Sequence, residues 1–299
     1  MLHLNLFGHL SVANCDGHLP GPSVEIPGRP GSLLAFLALA RGRFFARSEL
    51  LAALWPEQSD GGSVRSLNTA LWRLRKALAR PPLEQDAVVV CDRRGALGVP
   101  QEAQLRLDVD EFSRLVGPAL DKPLEQLDAP LVEQLRRGVA LYHDDILAGF
   151  IDDWALRARE LHRRTLLNAL GRLMQLCTLA QDYAGAIRHA QAILDRDTLR
   201  EDVHRELMQL FLLNGQRAMA LQQFEQCRHA LRKELAIEPM RETLAVYQRI
   251  SDSAVGRVQE PVAPLRVREV ENELSLRELV GRAHFYAAQA DARLQRDER

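Results

Sequence analysis

The stretch GSVRSLNTALWRLRKALAR, Gly62 to Arg80, decides how the chain is read. At the roughly 100° per residue of an α-helix, Leu67, Leu71, Leu74 and Leu78 fall on one narrow face, the spacing of a helix packed on a core. The opposite face carries Arg65, Thr69, Trp72, Arg73 and Lys76, with Asn68 and Arg75 on its flanks, and no acidic residue interrupts it. A leucine seam beneath a cationic, hydrogen-bonding face suits a DNA major groove, where Arg and Lys hold phosphates and shorter polar groups reach base edges. An ordinary amphipathic surface helix has the same pattern, so the flanking sequence must decide.

Upstream, Leu2, Leu4 and Leu6 alternate with His3 and Asn5, and a second alternation runs from Leu10 to Val12. Turn residues from Gly8 to Pro22 punctuate these runs, predicting three short antiparallel strands that end near Val24 to Ile26. LLAFLALA is apolar all round and predicts a buried helix from Arg29 to Ala40, stopped by Gly42. ARSELLAALWPE predicts a short helix with Ser48 as N-cap candidate, ending before Pro56. The loop EQSDGGS joins it to the cationic helix, the layout of a helix-turn-helix. Downstream, Ala87–Cys91 and Ala96–Val99 predict a hairpin around DRRG, a wing with Arg93 and Arg94 at its tip.

In this order, sheet, helix, helix, basic helix and hairpin resemble the winged-helix DNA-binding domain of the OmpR/PhoB type. More closely, LPGPSVEIPGRPGSLLAFLALARGRFFARSELLAALWPE followed by LNTALWRLRKAL resembles the N-terminal domain of the Streptomyces antibiotic regulatory protein family. The wing departs from the pattern, with GALGV where that family usually has Gly-Tyr-Arg-Leu. The resemblance implies that the basic helix enters the major groove and the wing lies along neighbouring backbone or minor groove. Within that frame, Asn68, Thr69 and Trp72 are expected to face bases, with Trp72 against thymine methyls or sugar. Arg65, Arg73, Arg75 and Lys76 are expected to clamp phosphates, Arg73 reaching a base as well. Arg47 and Ser48 stand where a helix N-terminus can hold a phosphate. For Trp72 a cover over the leucine seam, and for Arg75 an intramolecular ion pair, are the alternatives.

From LDVDEFSRLV onward the pattern is helical, with helices expected at Leu131–Tyr142, Trp154–Leu179, Tyr183–Leu194, Leu199–Asn214, Arg217–Leu235 and Met240–Ile250. DYAGAI from Asp182 aligns with QRAMAL from Gln216 at the 34-residue spacing of tetratricopeptide repeats, matching Ala186 to Ala220 and Ile187 to Leu221, and Pro239 closes the second unit. Stacked helix pairs build a concave binding surface, which favours partner binding over catalysis. ILAGFIDDWALRARELHRRTLLNALGRL and TLREDVHRELMQLFLLNGQRAMALQQFEQCRHALRKELAIEP resemble the bacterial transcriptional activation domain of the same family, with Thr198 where a proline is usual. The expected fold class is therefore mainly α: a winged helix-turn-helix over residues 1–105, then an all-α tetratricopeptide-like domain over 106–252. A linker and an amphipathic helix around Leu274–Ala290 fill 253–299 and lie outside the resemblance.

Charge agrees with this division. The first hundred residues carry 11 Lys and Arg against 8 Asp and Glu, while the whole chain carries 39 against 40, so the remainder is acidic. Cys15, Cys91, Cys177 and Cys227 form no CxxC pair, which fits a reducing cytoplasm. The longest apolar run, Leu33–Ala40, is well short of the roughly 20 residues of a membrane span, and the N-terminus lacks the cationic region of a signal peptide, so a cytoplasmic protein is expected.

GxxxxGK[ST], GxSxG and HExxH are absent, and His143, Asp144 and Asp145 are better explained by a loop or cap than by a metal. The Asp152, Asp153, Trp154 cluster reads as the capped, negatively biased start of a long helix. Neither enzyme nor cofactor is expected. The partners implied are double-stranded promoter DNA, RNA polymerase and a second protomer on DNA. The competing reading is a helical adaptor whose basic face binds an acidic protein.

Overall fold

A computed structural model describes residues 1–16, 19–56, 62–83 and 88–252. The expected tail helix, Ala87 and most of the EQSDGGS loop lie outside them. The chain divides into two compact units, one of Met1–Gly117 with Arg137–Leu166, the other of Pro118–Arg136 with the residues from Leu167 onward.

The first unit opens with β1 (Leu2–Asn5), β2 (Ser11–Asp16) and β3 (Leu19–Glu25), followed by α1 (Gly28–Leu39), β4 (Phe44–Phe45), α2 (Arg47–Leu54) and α3 (Gly62–Leu78). The hairpin β5 (Val90–Cys91) and β6 (Leu97–Gly98), then β7 (Leu105–Leu107) and α4 (Asp108–Leu120), come next. β1 to β3 are antiparallel, and the period-two pattern turns Leu2 and Leu4 inward while His3 and Asn5 stay half-exposed. α1 is buried along most of its length, as its apolar sequence requires. Gly31 is needed where α1 leaves β3, because a Cβ there would stand 1.9 Å from the Ile26 carbonyl oxygen. The leucine seam of α3 is closed: Leu67 and Leu74 are fully buried and Leu71 and Leu78 nearly so, with the helix packed on α1 and α2.

Four local expectations need correction. Ser48 does not cap α2: the N-cap is Ala46, and Glu49 reaches back to accept its N–H at 2.7 Å, one half of a capping box. The first wing strand is shorter than Ala87–Cys91, starting at Val90, and β4 pairs with β6 to make the wing a three-stranded sheet, β4-β6-β5. β7 adds a fourth strand to the first sheet, parallel to β1, in the order β3-β2-β1-β7. The long helix does start at Asp153 with that acid in its first turn, but Asp152 caps it through its carbonyl alone, its carboxylate being used on Arg29 of α1 at 2.6 Å.

The end of β1 is fastened from two sides. Asp108, at the start of α4, is buried and accepts N–H from Leu6 at 2.8 Å, Phe7 at 2.9 Å and Val109 at 2.8 Å. Burial pushes its carboxyl above the usual range against the pull of these three amides. The segment between α5 (Ala129–Leu141) and α6 (Asp153–Leu179) pairs with Leu6–Gly8, donating Leu147 N–H to Leu6 at 2.8 Å and Ala148 N–H to Gly8 at 2.7 Å. Arg159 of α6 holds that segment, giving hydrogen bonds to the carbonyls of Leu147 at 2.7 Å, Ile146 at 3.1 Å and Phe150 at 3.2 Å. Asp145 in turn accepts the Tyr142 hydroxyl at 2.7 Å. Among the described residues no group of His, Cys, Asp and Glu is placed to hold a metal ion.

In the second unit α7 (Tyr183–Leu194), α8 (Glu201–Leu213), α9 (Arg217–Leu235) and α10 (Arg241–Asp252) pack in sequence, α10 against both α8 and α9. The 34-residue repeat extends to the backbone of its turns. Gln181 and Gly215 both take positive φ, 59° and 74°, and the next residues close the same six-to-one turn, Asp182 N–H to Cys177 O at 2.9 Å and Gln216 N–H to Phe211 O at 2.7 Å. Ala186 and Ala220 are fully buried at matching places. α8 and α10 start two residues and one residue later than expected, at Glu201 and Arg241. Glu201 explains the later start of α10, accepting the Met240 N–H and the Thr243 hydroxyl, each at 2.6 Å.

Buried His204 donates from Nε2 to the Thr198 carbonyl at 3.0 Å and accepts at Nδ1 from Gln223 at 2.6 Å. Burial holds its pKa down, in keeping with that neutral tautomer. Thr198 serves through its carbonyl, which any residue supplies, so the departure from proline costs nothing here.

The cysteines differ sharply in access. Burial pushes Cys227 up to about 12 and raises Cys177, whereas Cys91 in β5 is exposed. Because the thiolate is the reacting form, iodoacetamide at neutral pH is expected to modify Cys91 first. Cys177 and Cys227 should react only after denaturation, as read by peptide mass spectrometry. Rapid native labelling of Cys227 would contradict the packing of α9.

Candidate nucleic-acid interface

α3 presents Arg65, Asn68, Thr69, Trp72, Arg73, Arg75 and Lys76 to solvent, all on exposed positions. At 59 % exposure Trp72 is no cover for the leucine seam. Its ring instead carries the Lys76 ammonium, 4.6 Å from the centroid, a cation–π contact worth about 0.5–1 kcal/mol at an exposed site. Thr69 donates its hydroxyl to the Arg65 carbonyl at 2.8 Å, which leaves the oxygen's acceptor side outward. Among the described residues, Arg65, Arg73 and Arg75 form no ion pair. Among the described residues Arg75 thus has no partner for the ion pair that was its alternative.

Arg47 and Ser48 open α2, and Ser48 is exposed. Arg47 turns toward α3 and donates from Nη1 to Asn68 Oδ1 at 2.7 Å, joining a residue assigned to phosphate with one assigned to bases. Glu49 sits close by with its charge answered by Arg43 at 3.1 Å and by the Ala46 amide. The wing tip is built by Asp92, whose carboxylate accepts the N–H groups of Arg94 and Ala96, both at 2.8 Å, with Gly95 at φ 83°. Arg93 and Arg94 are left exposed there. GALGV meets a packing need: Leu97 and Val99 are buried, and a Cβ on Gly98 would stand 2.7 Å from the carbonyl of Arg43, the residue before β4.

One exposed apolar residue beside this face differs from what the helical spacing implies. Val64 is 46 % exposed in the first turn of α3, one turn before Asn68. The sequence pointed the other way, since Val64, three residues before Leu67 and seven before Leu71, continues the spacing of the leucine seam, yet it stands exposed at the end of that seam.

Comparison with known proteins agrees with this geometry. The family described as transcriptional regulatory protein, C terminal, matches residues 21–95, and the bacterial transcriptional activator domain matches residues 107–251. The regulatory protein AfsR of Streptomyces coelicolor is 26% identical over 266 residues, which cover 87% of this chain and 26% of that protein. AfsR of Streptomyces griseus is 24% identical over 237 residues, 78% of this chain and 23% of that protein. The chain thus spans about a quarter of the length of these relatives. The solved structure of Mycobacterium tuberculosis EmbR in complex with a low affinity phosphopeptide shares the fold, with a TM-score of 0.62 at 20% identity, covering 84% of this chain and 65% of that one. No helix among the described residues is long and apolar enough to cross a membrane. In domain composition the chain is similar to the Streptomyces antibiotic regulatory proteins, with a region matching the OmpR/PhoB-type transcriptional regulatory domain followed by one matching the bacterial transcriptional activator domain.

Proposed function

We propose that the chain is a sequence-specific activator that lays α3 in the major groove of promoter DNA and engages RNA polymerase or a second protomer through its helical part. The observation that carries this reading is the outer face of α3, cationic, free of acidic residues and presented by a buried leucine seam. A helix about 10–12 Å across fits a major groove about 12 Å wide. Arg65, Arg73, Arg75 and Lys76 hold phosphates, and Asn68, Thr69 and Trp72 face base edges. Ser48 and the free amides of the first turn of α2 approach one strand, and Arg93 and Arg94 follow the neighbouring backbone or minor groove. In this assignment residues 1–105 bind DNA and 106–252 carry the activating surface. The work is done in the cytoplasm, where promoter DNA lies, and requires no cofactor or catalytic step.

The test is a titration of duplexes enriched from a randomised library against unselected duplexes at several salt concentrations. Tight binding to one sequence class is expected. Arg73→Ala and Lys76→Ala should each lower the slope of log affinity against log salt by about 0.9, the value for one lost phosphate contact. Equal affinity for all duplexes would reject sequence-specific reading and favour an adaptor that binds an acidic protein.

A further inference from the structure

The bond between Arg47 and Asn68 restricts what Asn68 can read. We infer that these two residues form a single donor-only reading unit, selecting a keto base, guanine before thymine, on the strand that Asn68 faces. The inference rests on the proposed docking of α3 in the major groove.

An arginine guanidinium has five N–H donors and no acceptor. Its 2.7 Å contact with Asn68 therefore fixes the carboxamide with Oδ1 toward Arg47 and the amide NH2 turned away. An unrestrained asparagine reads adenine with both ends of its carboxamide, accepting from N6–H and donating to N7. Here the accepting end is occupied, so the outward edge of Asn68 and the remaining N–H groups of Arg47 offer donors alone. Guanine answers with two acceptors, O6 and N7, and thymine with one, O4. The exocyclic amino groups of adenine N6 and cytosine N4 would meet donors head-on. A well-matched bidentate contact discriminates by about 1–3 kcal/mol, roughly 5-fold to 150-fold between bases.

The neighbourhood supports a lasting contact. Arg47 has no carboxylate partner among the described residues, and Glu49, two residues further along, is already engaged by Arg43 and the Ala46 amide. Arg47 and Asn68 also sit on two helices held together through the closed leucine seam, so packing maintains their separation.

The test selects binding sites from a randomised duplex library with the wild-type chain, Arg47→Met and Asn68→Asp, each first shown to be folded by thermal unfolding. The wild type is expected to enrich a keto base at one position. Arg47→Met frees the carboxamide and should move that position to adenine by about tenfold. Asn68→Asp replaces the outward donors by acceptors and should move it toward cytosine or adenine, so a folding failure of one variant leaves the other decisive. An unchanged keto preference in both variants overturns the inference, as does a uniform loss of affinity in Arg47→Met, which would make Arg47 a phosphate clamp only. A wild type that enriches no sequence overturns the docking reading itself, and the inference with it.

Discussion

Leu74→Ala is expected to destabilise the unit that holds α3 by about 2–5 kcal/mol, and its neighbour Arg73→Ala by less than about 0.5 kcal/mol. Leu74 is fully buried at the centre of the seam, so truncation removes its transfer energy and leaves a cavity that the packed helices α1 and α2 fill only in part. Arg73, one residue away, projects into solvent and has no ion pair among the described residues to lose. Binding should reverse the order. Below its unfolding transition Leu74→Ala should keep the wild-type salt slope, while Arg73→Ala loses slope with its stability intact. Urea unfolding followed by circular dichroism, beside the titration, separates the two effects. A Leu74→Ala midpoint equal to that of the wild type would mean that the seam is not the core of this unit.

Arg159→Met should cost about 2–4 kcal/mol, reflecting charge-assisted hydrogen bonds lost and carbonyls left partly buried without a donor. The guanidinium answers Ile146, Leu147 and Phe150 together, in a segment where Leu147 and Gly149 both take positive φ. Water reaches this half-buried site, so the cost is well below the sum of three separate bonds. Arg159→Lys keeps the charge but replaces a planar fork by one nitrogen, and should recover less than half of the loss. Hydrogen exchange gives the local readout: the amides of Gly8, Leu147 and Ala148 should exchange faster in Arg159→Met, ahead of those in α3. Wild-type protection at these amides would show that β1 holds the segment without Arg159.

Local periodicity made much of the fold legible. The period of two in Leu2, Leu4 and Leu6, the leucine seam of α3 and the 34-residue offset of the helical hairpins each reflect neighbours close in sequence, and each is found where the pattern placed it. Pairings between distant segments were not legible. β7 is three residues long and has no strand signature beyond alternation, yet it joins the sheet because β1 offers it a parallel edge. β4 likewise exists only because β6 runs beside it, and Ile146–Ala148 is ordered by β1 and by an arginine thirteen residues further along. On the interface, the exposed face of α3 followed from its own sequence. The Arg47–Asn68 contact did not, because the packing of α2 against α3 sets it and a helical wheel of either alone cannot show it.

The joining of β7 and Asp108 to β1 has a consequence for how this chain can be cut or recombined. A fragment ending at residue 105, the division proposed above, would lose most of the parallel neighbour of β1 and strip the Leu6 and Phe7 amides of their acceptor. It would also uncover Phe7, whose ring rests against Phe112 and Tyr142. An unpaired edge beside a bare aromatic surface invites association with another copy. The boundary proposed for DNA reading and the boundary of the folded body are thus different places in this chain, and exchanging the proposed reading head for another requires carrying the opening of α4 and the Asp145–Ala148 segment with it.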